Sequence, residues 1–152
     1  ALFMTLFIMS PVFQEVDQKA LQPFLKNEIK QDQAFTNGMK PFREFMFKQV
    51  RQNDLQLYVN MAKLKRPNNR DEIPNQVLIP AFITSELKTA FISGFLVYLP
   101  FLIIDMVIAS ALMSMGMMML PPTIISLPFK LILFVLIDGW NILSQALVNS
   151  FI

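Results

Sequence analysis

The sequence predicts an all-α chain of membrane-protein type: kinked hydrophobic helices and helical hairpins joined to a small, mostly helical polar lobe. Three observations carry this. Hydrophobic residues make up 54% of the 152 residues and charged ones only 16%, against roughly 25% charged in an average soluble domain. The charges are segregated, with 19 of the 24 (11 Lys/Arg and 8 Asp/Glu) between Gln14 and Gln76. Within that charged region the apolar residues recur at helical spacing.

Composition also removes whole classes of chemistry. The chain has no cysteine and no histidine, which excludes disulfides, zinc sites of the usual kind, thiol nucleophiles and imidazole bases. A net charge of +2 is too small to point to nucleic acid. No P-loop or other nucleotide signature is present. A non-enzymatic protein with no cofactor and no metal is the expectation.

Residues 1–13, ALFMTLFIMSPVF, are apolar but shorter than the roughly 20 helical residues that cross a hydrocarbon core of about 30 Å. They read as the end of an N-terminally truncated hydrophobic helix that stops near Ser10-Pro11. Residues 14–76 read as the polar lobe. There Phe42, Met46, Val50, Leu57, Met61 and Leu64 form one stripe of an amphipathic helix, with Gly38 and Pro41 at its start and a break at Asn53-Asp54. Glu44 and Lys48 make a favourable i,i+4 pair. The basic run from Lys63 to Arg66 reads as a solvated face, since Asp71 and Glu72 follow closely. The lobe shows no catalytic constellation.

From Val77 to Ile152 only Glu86, Lys88, Asp105, Lys130 and Asp138 are charged. A straight helix over residues 89–120 would measure about 48 Å, well beyond a bilayer core. With Pro100 in its middle, residues 77–122 read as a kinked hydrophobic helical hairpin ending in a Met-rich loop at Pro121-Pro122. Residues 123–152 read as a C-terminal hydrophobic helix. Eight apolar residues between Phe129 and Ile137 favour insertion by roughly −4 kcal/mol in total. Lys130 and Asp138, at about +2.5 to +3.5 kcal/mol each near the bilayer centre, would outweigh that. These charges must therefore face protein, water or headgroups, which points to an assembly. Glu86 and Lys130 are the natural ion pair between helices or subunits, and Asp105 and Asp138 are the other buried acids. Lys88 is placed to snorkel.

Residues 113–119 read MSMGMMM, five of the 11 methionines of the chain. Flexible, polarizable thioethers conform to irregular surfaces. At a narrow point of an assembly they would form a deformable seal, with Gly116 giving the backbone freedom. Plain helix packing and Cu(I) binding by soft thioethers are the alternatives.

The strings FIMSPV (7–12), SELKTAF (85–91), PFLIID (100–105), VIAS (107–110), GMMMLPP (116–122) and ISLPFKLILFVLIDGW (125–140) resemble the FliP family, in order over essentially the whole chain. The resemblance implies the core export-gate protein of bacterial flagellar type III secretion, whose homologues also serve virulence injectisomes. It implies a homopentameric ring joined by FliQ-like and FliR-like subunits, with a central channel that conducts unfolded export substrate proteins. It places the complex at the bacterial inner membrane at the base of the flagellum, largely above the plane of the lipid, with residues 14–76 on the periplasmic side. The Lys/Arg excess of that lobe is weak evidence against such an orientation, since the positive-inside rule governs loops shorter than about 60 residues.

Carried over by resemblance, Met117, Met118 and Met119 form the methionine ring at the channel constriction, and Glu86 and Lys130 are the family's paired Glu and Lys. The polar lobe with KPFREFM (40–46) favours the flagellar branch. The competing expectations are an ion- or proton-coupled small-solute transporter subunit using Asp105 and Asp138, an injectisome homologue, or an assembly scaffold with no pore role.

Overall fold

In the computed structural model the described residues are 1–64, 67, 69–117 and 121–151. Every regular element among them is helical, as the sequence predicts. The chain divides into two compact units, Ala1–Thr89 with Phe151 and Ala90–Ser150.

The first unit opens with α1 (Leu2–Val16), which runs through Pro11 and passes into a π-helical turn, Asp17–Leu21. The expected stop at Ser10-Pro11 does not occur. Pro11 removes one N–H donor and crowds the carbonyl one turn back, and the helix nevertheless continues through it. A short α2 (Gln22–Leu25) follows, closed by Asn27 at φ 60°. Then α3 (Gln31–Gln49) packs back on α1 and the π turn, with Ala20 buried between them and Phe13 edge-on to Phe42. Its first turn is fastened where the Gln33 side chain accepts the Lys30 backbone N–H at 3.3 Å. Gly38 and Pro41 therefore lie inside α3 and do not mark its start.

The chain turns at Val50-Arg51, both in extended conformation and three residues before the expected break, and α4 (Gln52–Met61) follows. The extended residues reset the helical phase. The stripe thus changes face across the turn: Met46 is buried with Phe42 and Val50 packed near it, while Leu57 and Met61 are exposed. On α4 the inward residues are Leu55, Tyr58 and Val59. A 3₁₀ turn, Arg70–Glu72, leads to α5 (Asn75–Ser114). The core of this unit gathers Met46, Val59, Ile73, Val77 and Leu78. Leu78 is fully buried, a contribution of about 2 kcal/mol by transfer.

Arg43 fastens the entry to α5. Its guanidinium donates to the carbonyls of Arg70 (3.0 Å) and Ile73 (2.8 Å) and to Asn75 Oδ1. It also lies over the Phe47 ring, 5.4 Å from the centroid, and Arg70 approaches the same ring at 5.7 Å. A planar fork serves such a site where an ammonium would not.

The hairpin expected over residues 77–122 is replaced by one helix of 40 residues, running unbroken through Pro80 and Pro100. Continuing through Pro100 sacrifices one backbone bond, whereas two new helix ends would each leave several carbonyls or N–H groups unpaired in apolar surroundings. α5 is long and apolar enough to cross a membrane, and hardly any of its span is covered by the rest of the chain.

In the second unit the C-terminal helix expected as one piece is two, α6 (Pro122–Leu136) and α7 (Gly139–Asn149), bent by 63°. Asp138 makes the bend in the left-handed region, φ 51° and ψ 48°, and precedes α7. Gly139 is required beside it. A Cβ there would sit 2.5 Å from two atoms of the Phe134 ring, which is itself edge-on to Trp140 at 5.1 Å.

Candidate functional site

The charged centre of the second unit is built from one acid on α5 and two side chains a turn apart on α6. Residues four apart on a helix share a face, so Ser126 and Lys130 point together at Asp105. Lys130 Nζ stands 2.6 Å from Asp105 Oδ2, and Ser126 Oγ donates to Asp105 Oδ1. Ser126 is fully buried, and the Thr123 carbonyl, 3.1 Å from its oxygen, competes for the same single hydroxyl proton. The carboxylate is thus engaged on both oxygens inside an otherwise apolar helix pair. The charges that insertion arithmetic forbids to face lipid find their first partners within the chain. Lys130 was expected against Glu86, and in this chain the carboxylate that takes it is Asp105.

Asp138 is exposed on the chain and accepts a bond from Asn141 Nδ2 at 3.1 Å. It acts at the bend, and any burial of its carboxylate has to come from another molecule.

The methionine turn begins with a defined cap. Gly116 sits at φ 75°, its N–H bonds the Met113 carbonyl at 3.1 Å, and the Met117 N–H reaches back to Leu112 at 3.0 Å. This is the Schellman arrangement, in which a left-handed glycine lets two N–H groups satisfy the last helical carbonyls. Gly116 therefore ends α5 firmly instead of loosening the loop, and buried Leu112 anchors the cap from inside. Met113, Met115 and Met117 are exposed around it. Met118 and Met119 lie outside the described residues.

Glu86 is half-buried in the first unit, and Arg51 is the cation whose field reaches it. Arg51 belongs to a joint that the sequence does not announce. Ser85, fully buried on α5, accepts the Arg51 backbone N–H at 3.0 Å and donates to Asp54 Oδ2 at 2.8 Å. The N-terminus of α4, which has no cap of its own, is so capped by a hydroxyl from α5. Arg51 Nη2 reaches Thr89 Oγ1 at 3.2 Å, and Tyr58 OH pairs with Thr84 Oγ1 at 2.9 Å. Among the described residues no group of three or more acidic side chains stands ready to hold a metal.

Two functional side chains were missed by sequence reasoning. Ser126 carried a usable signal, four residues before Lys130. Ser85 carried none, because its partners lie 31 and 34 residues away.

Comparison with known proteins agrees with the motifs. A family model described as the FliP family matches residues 1–147. The flagellar biosynthetic protein FliP of Bacillus subtilis (strain 168) is 55% identical over 151 residues, covering 99% of this chain and 68% of its own length. That of Pectobacterium carotovorum subsp. carotovorum is 52% identical over 150 residues, covering 99% and 58%. That of Buchnera aphidicola subsp. Acyrthosiphon pisum is 50% identical over 151 residues, covering 99% and 40%. The chain spans from 40% to 68% of the length of these relatives.

Proposed function

The chain belongs to the FliP family, and from that premise we propose that it is a pore-forming core subunit of the bacterial flagellar protein export gate, non-enzymatic and built into the inner membrane complex. Its substrates are unfolded export proteins. Its partners are further copies of itself, five in the ring the family resemblance implies, with FliQ-like and FliR-like subunits. The polar lobe faces the periplasm in this reading.

One observation carries the proposal: a long apolar helix, barely covered by its own chain, ends in a glycine cap with Met113, Met115 and Met117 exposed around it. Uncovered apolar surface on that scale belongs against lipid or companion chains. The mechanism has two parts. Met117, Met118 and Met119 from each copy close the channel by soft packing, and opening displaces thioethers that repack around a passing polypeptide. The frame stays closed because its charges are held: Asp105 by Lys130 and Ser126 within the subunit, and Glu86 by Lys130 of a neighbouring copy, whose ammonium has three donors. The transporter reading needs Asp105 and Asp138 as free coupling acids, and both oxygens of Asp105 are engaged.

Replacing Met117, Met118 and Met119 with Ala in the assembled complex tests the seal. A vesicle containing the variant complex should leak ions at rest while assembly is preserved. Unchanged leakage with normal secretion would leave only a scaffold role. Proton-coupled uptake of a small solute, without protein efflux, would favour the transporter.

A further inference from the structure

Helix α7 carries two faces that differ in chemistry. Gly139, Leu143 and Ala146 line an apolar cavity shared with Val97, Phe101 and Phe134. On another side stand Asp138, Asn141, Gln145 and Asn149, spaced by three, four and four residues and therefore aligned along the helix. All four are exposed. Gln145 Nε2 donates to Asn141 Oδ1 at 3.0 Å, and Asn141 Nδ2 donates to the Asp138 carboxylate at 3.1 Å. The line is polar for the whole length of a helix whose other side chains are mostly apolar.

Such a face has lipid, headgroups, a neighbouring chain or water to meet. Lipid offers no partner to a carboxamide or a carboxylate. A helix lying among headgroups carries Lys and Arg on its polar face, whereas α7 has neither and the charge at its start, Asp138, is negative. A neighbouring copy of this half, residues 90–152, brings a single cation, Lys130, which Asp105 already holds at 2.6 Å. Water remains. We infer that the Asp138–Asn149 face of α7 lines the aqueous passage and is the surface along which an unfolded export substrate slides. The inference rests on the reading of the chain as a pore subunit and adds a contact surface other than the methionine seal. A carboxamide has an acceptor oxygen and two N–H donors, the same kinds of group that an extended backbone presents. The bonds from Gln145 to Asn141 and from Asn141 to Asp138 exchange for bonds to a passing peptide and re-form behind it, whatever the side chains of that peptide. Three of the four side chains are neutral, and neutral hydrogen bonds are weaker than charge-assisted ones, so the face holds no segment of the substrate firmly.

The full-length protein in its assembled complex, in cells, is loaded with an export substrate fused to a stably folded domain, which stalls it in transit. A photoreactive benzophenone residue replaces, one at a time, Asn141, Gln145, Asn149 or Trp140, the last exposed on a different side of α7. Substrate adducts should form from the first three and not from Trp140. Asn141→Leu/Gln145→Leu should lower the export rate several-fold with assembly preserved, and the exchange Asn141→Gln/Gln145→Asn should keep most of it. Should the leucine pair fail to assemble, Gln145→Leu alone, which leaves the bond from Asn141 to Asp138 in place, serves instead, with a smaller loss. Adducts only to lipid or to other subunits, adducts from Trp140 as strong as those from the stripe, or parental export in the leucine variants each overturns the inference. A failure of the pore reading itself shows separately, since the stalled substrate would then not co-purify with the unaltered complex.

Discussion

Lys130 Nζ lies 2.6 Å from Asp105 Oδ2 while Ser126 occupies the other carboxylate oxygen, so one acid of α5 is gripped from two successive turns of α6. This relationship separates two roles for Lys130. Lys130→Glu sets two carboxylates against each other and should lower the amount of subunit recovered from membranes. Asp105→Lys added to it restores opposite charges within the chain and should bring recovery back. On the proposed contact with Glu86 of a neighbouring copy, the doubly reversed chain carries the wrong sign, so assembly on native gels should return only when Glu86→Lys is added as a third change. Full assembly of the double variant would remove Glu86 from the interface.

Ser85 predicts a second, independent effect. Its hydroxyl both accepts the Arg51 N–H and donates to Asp54, and it is wholly buried. Ser85→Ala leaves two polar groups without partners, at a cost of about 1–3 kcal/mol. Asp54→Ala removes one of them, so the double variant should lose less than the sum of the singles. Denaturant unfolding in mild detergent, with protease cleavage within the lobe as a local readout, measures the cycle. Simple additivity would mean that the two side chains act apart.

These residues show where sequence reasoning reaches and where it stops. Charge segregation and apolar periodicity are local properties, so the helical class and the polar lobe could be read directly. The Met-rich stretch stands out because five thioethers in seven positions are rare, and of these Met113, Met115 and Met117 are described around the cap of α5. Ser126, four residues before Lys130, sat at a spacing that helix geometry makes meaningful and was passed over. The bend at Asp138-Gly139 also had a signal, a dipeptide that marks turns, overlooked within an apolar run. Continuity through Pro100 was not legible. It depends on comparing one lost backbone bond with the groups that two helix ends would expose, and the proline alone states only the loss. The shift of the buried stripe at Val50 and the capping of α4 by Ser85 depend on tertiary contacts, which no local pattern encodes.

Gly139 makes the bend testable without touching any charge. Gly139→Ala drives a methyl into the Phe134 ring and should cost about 1–3 kcal/mol through overpacking. Trp140, the single tryptophan of the chain, packs on the same ring and reports the disturbance as a shift in fluorescence. Phe134→Leu in the same chain makes room and should recover part of the loss. An unchanged melting temperature and emission maximum in Gly139→Ala would mean that the α6–α7 bend tolerates a Cβ and is held by other contacts.

At Gly116 the prediction joins stability to gating. A left-handed residue carrying a Cβ costs about 1–2 kcal/mol, and asparagine tolerates that region better than alanine. Gly116→Ala should therefore fray the end of α5, breaking the bonds from Gly116 to Met113 and from Met117 to Leu112. Gly116→Asn should do so less. If the cap is what aims the methionines, resting ion leak in reconstituted vesicles should follow the same order, with alanine leakiest, asparagine between and glycine tight, although no methionine has been altered. A destabilised Gly116→Ala subunit that still assembles into a tight gate would show that the thioethers find their places without the cap, and that the seal depends on their number and not on their presentation.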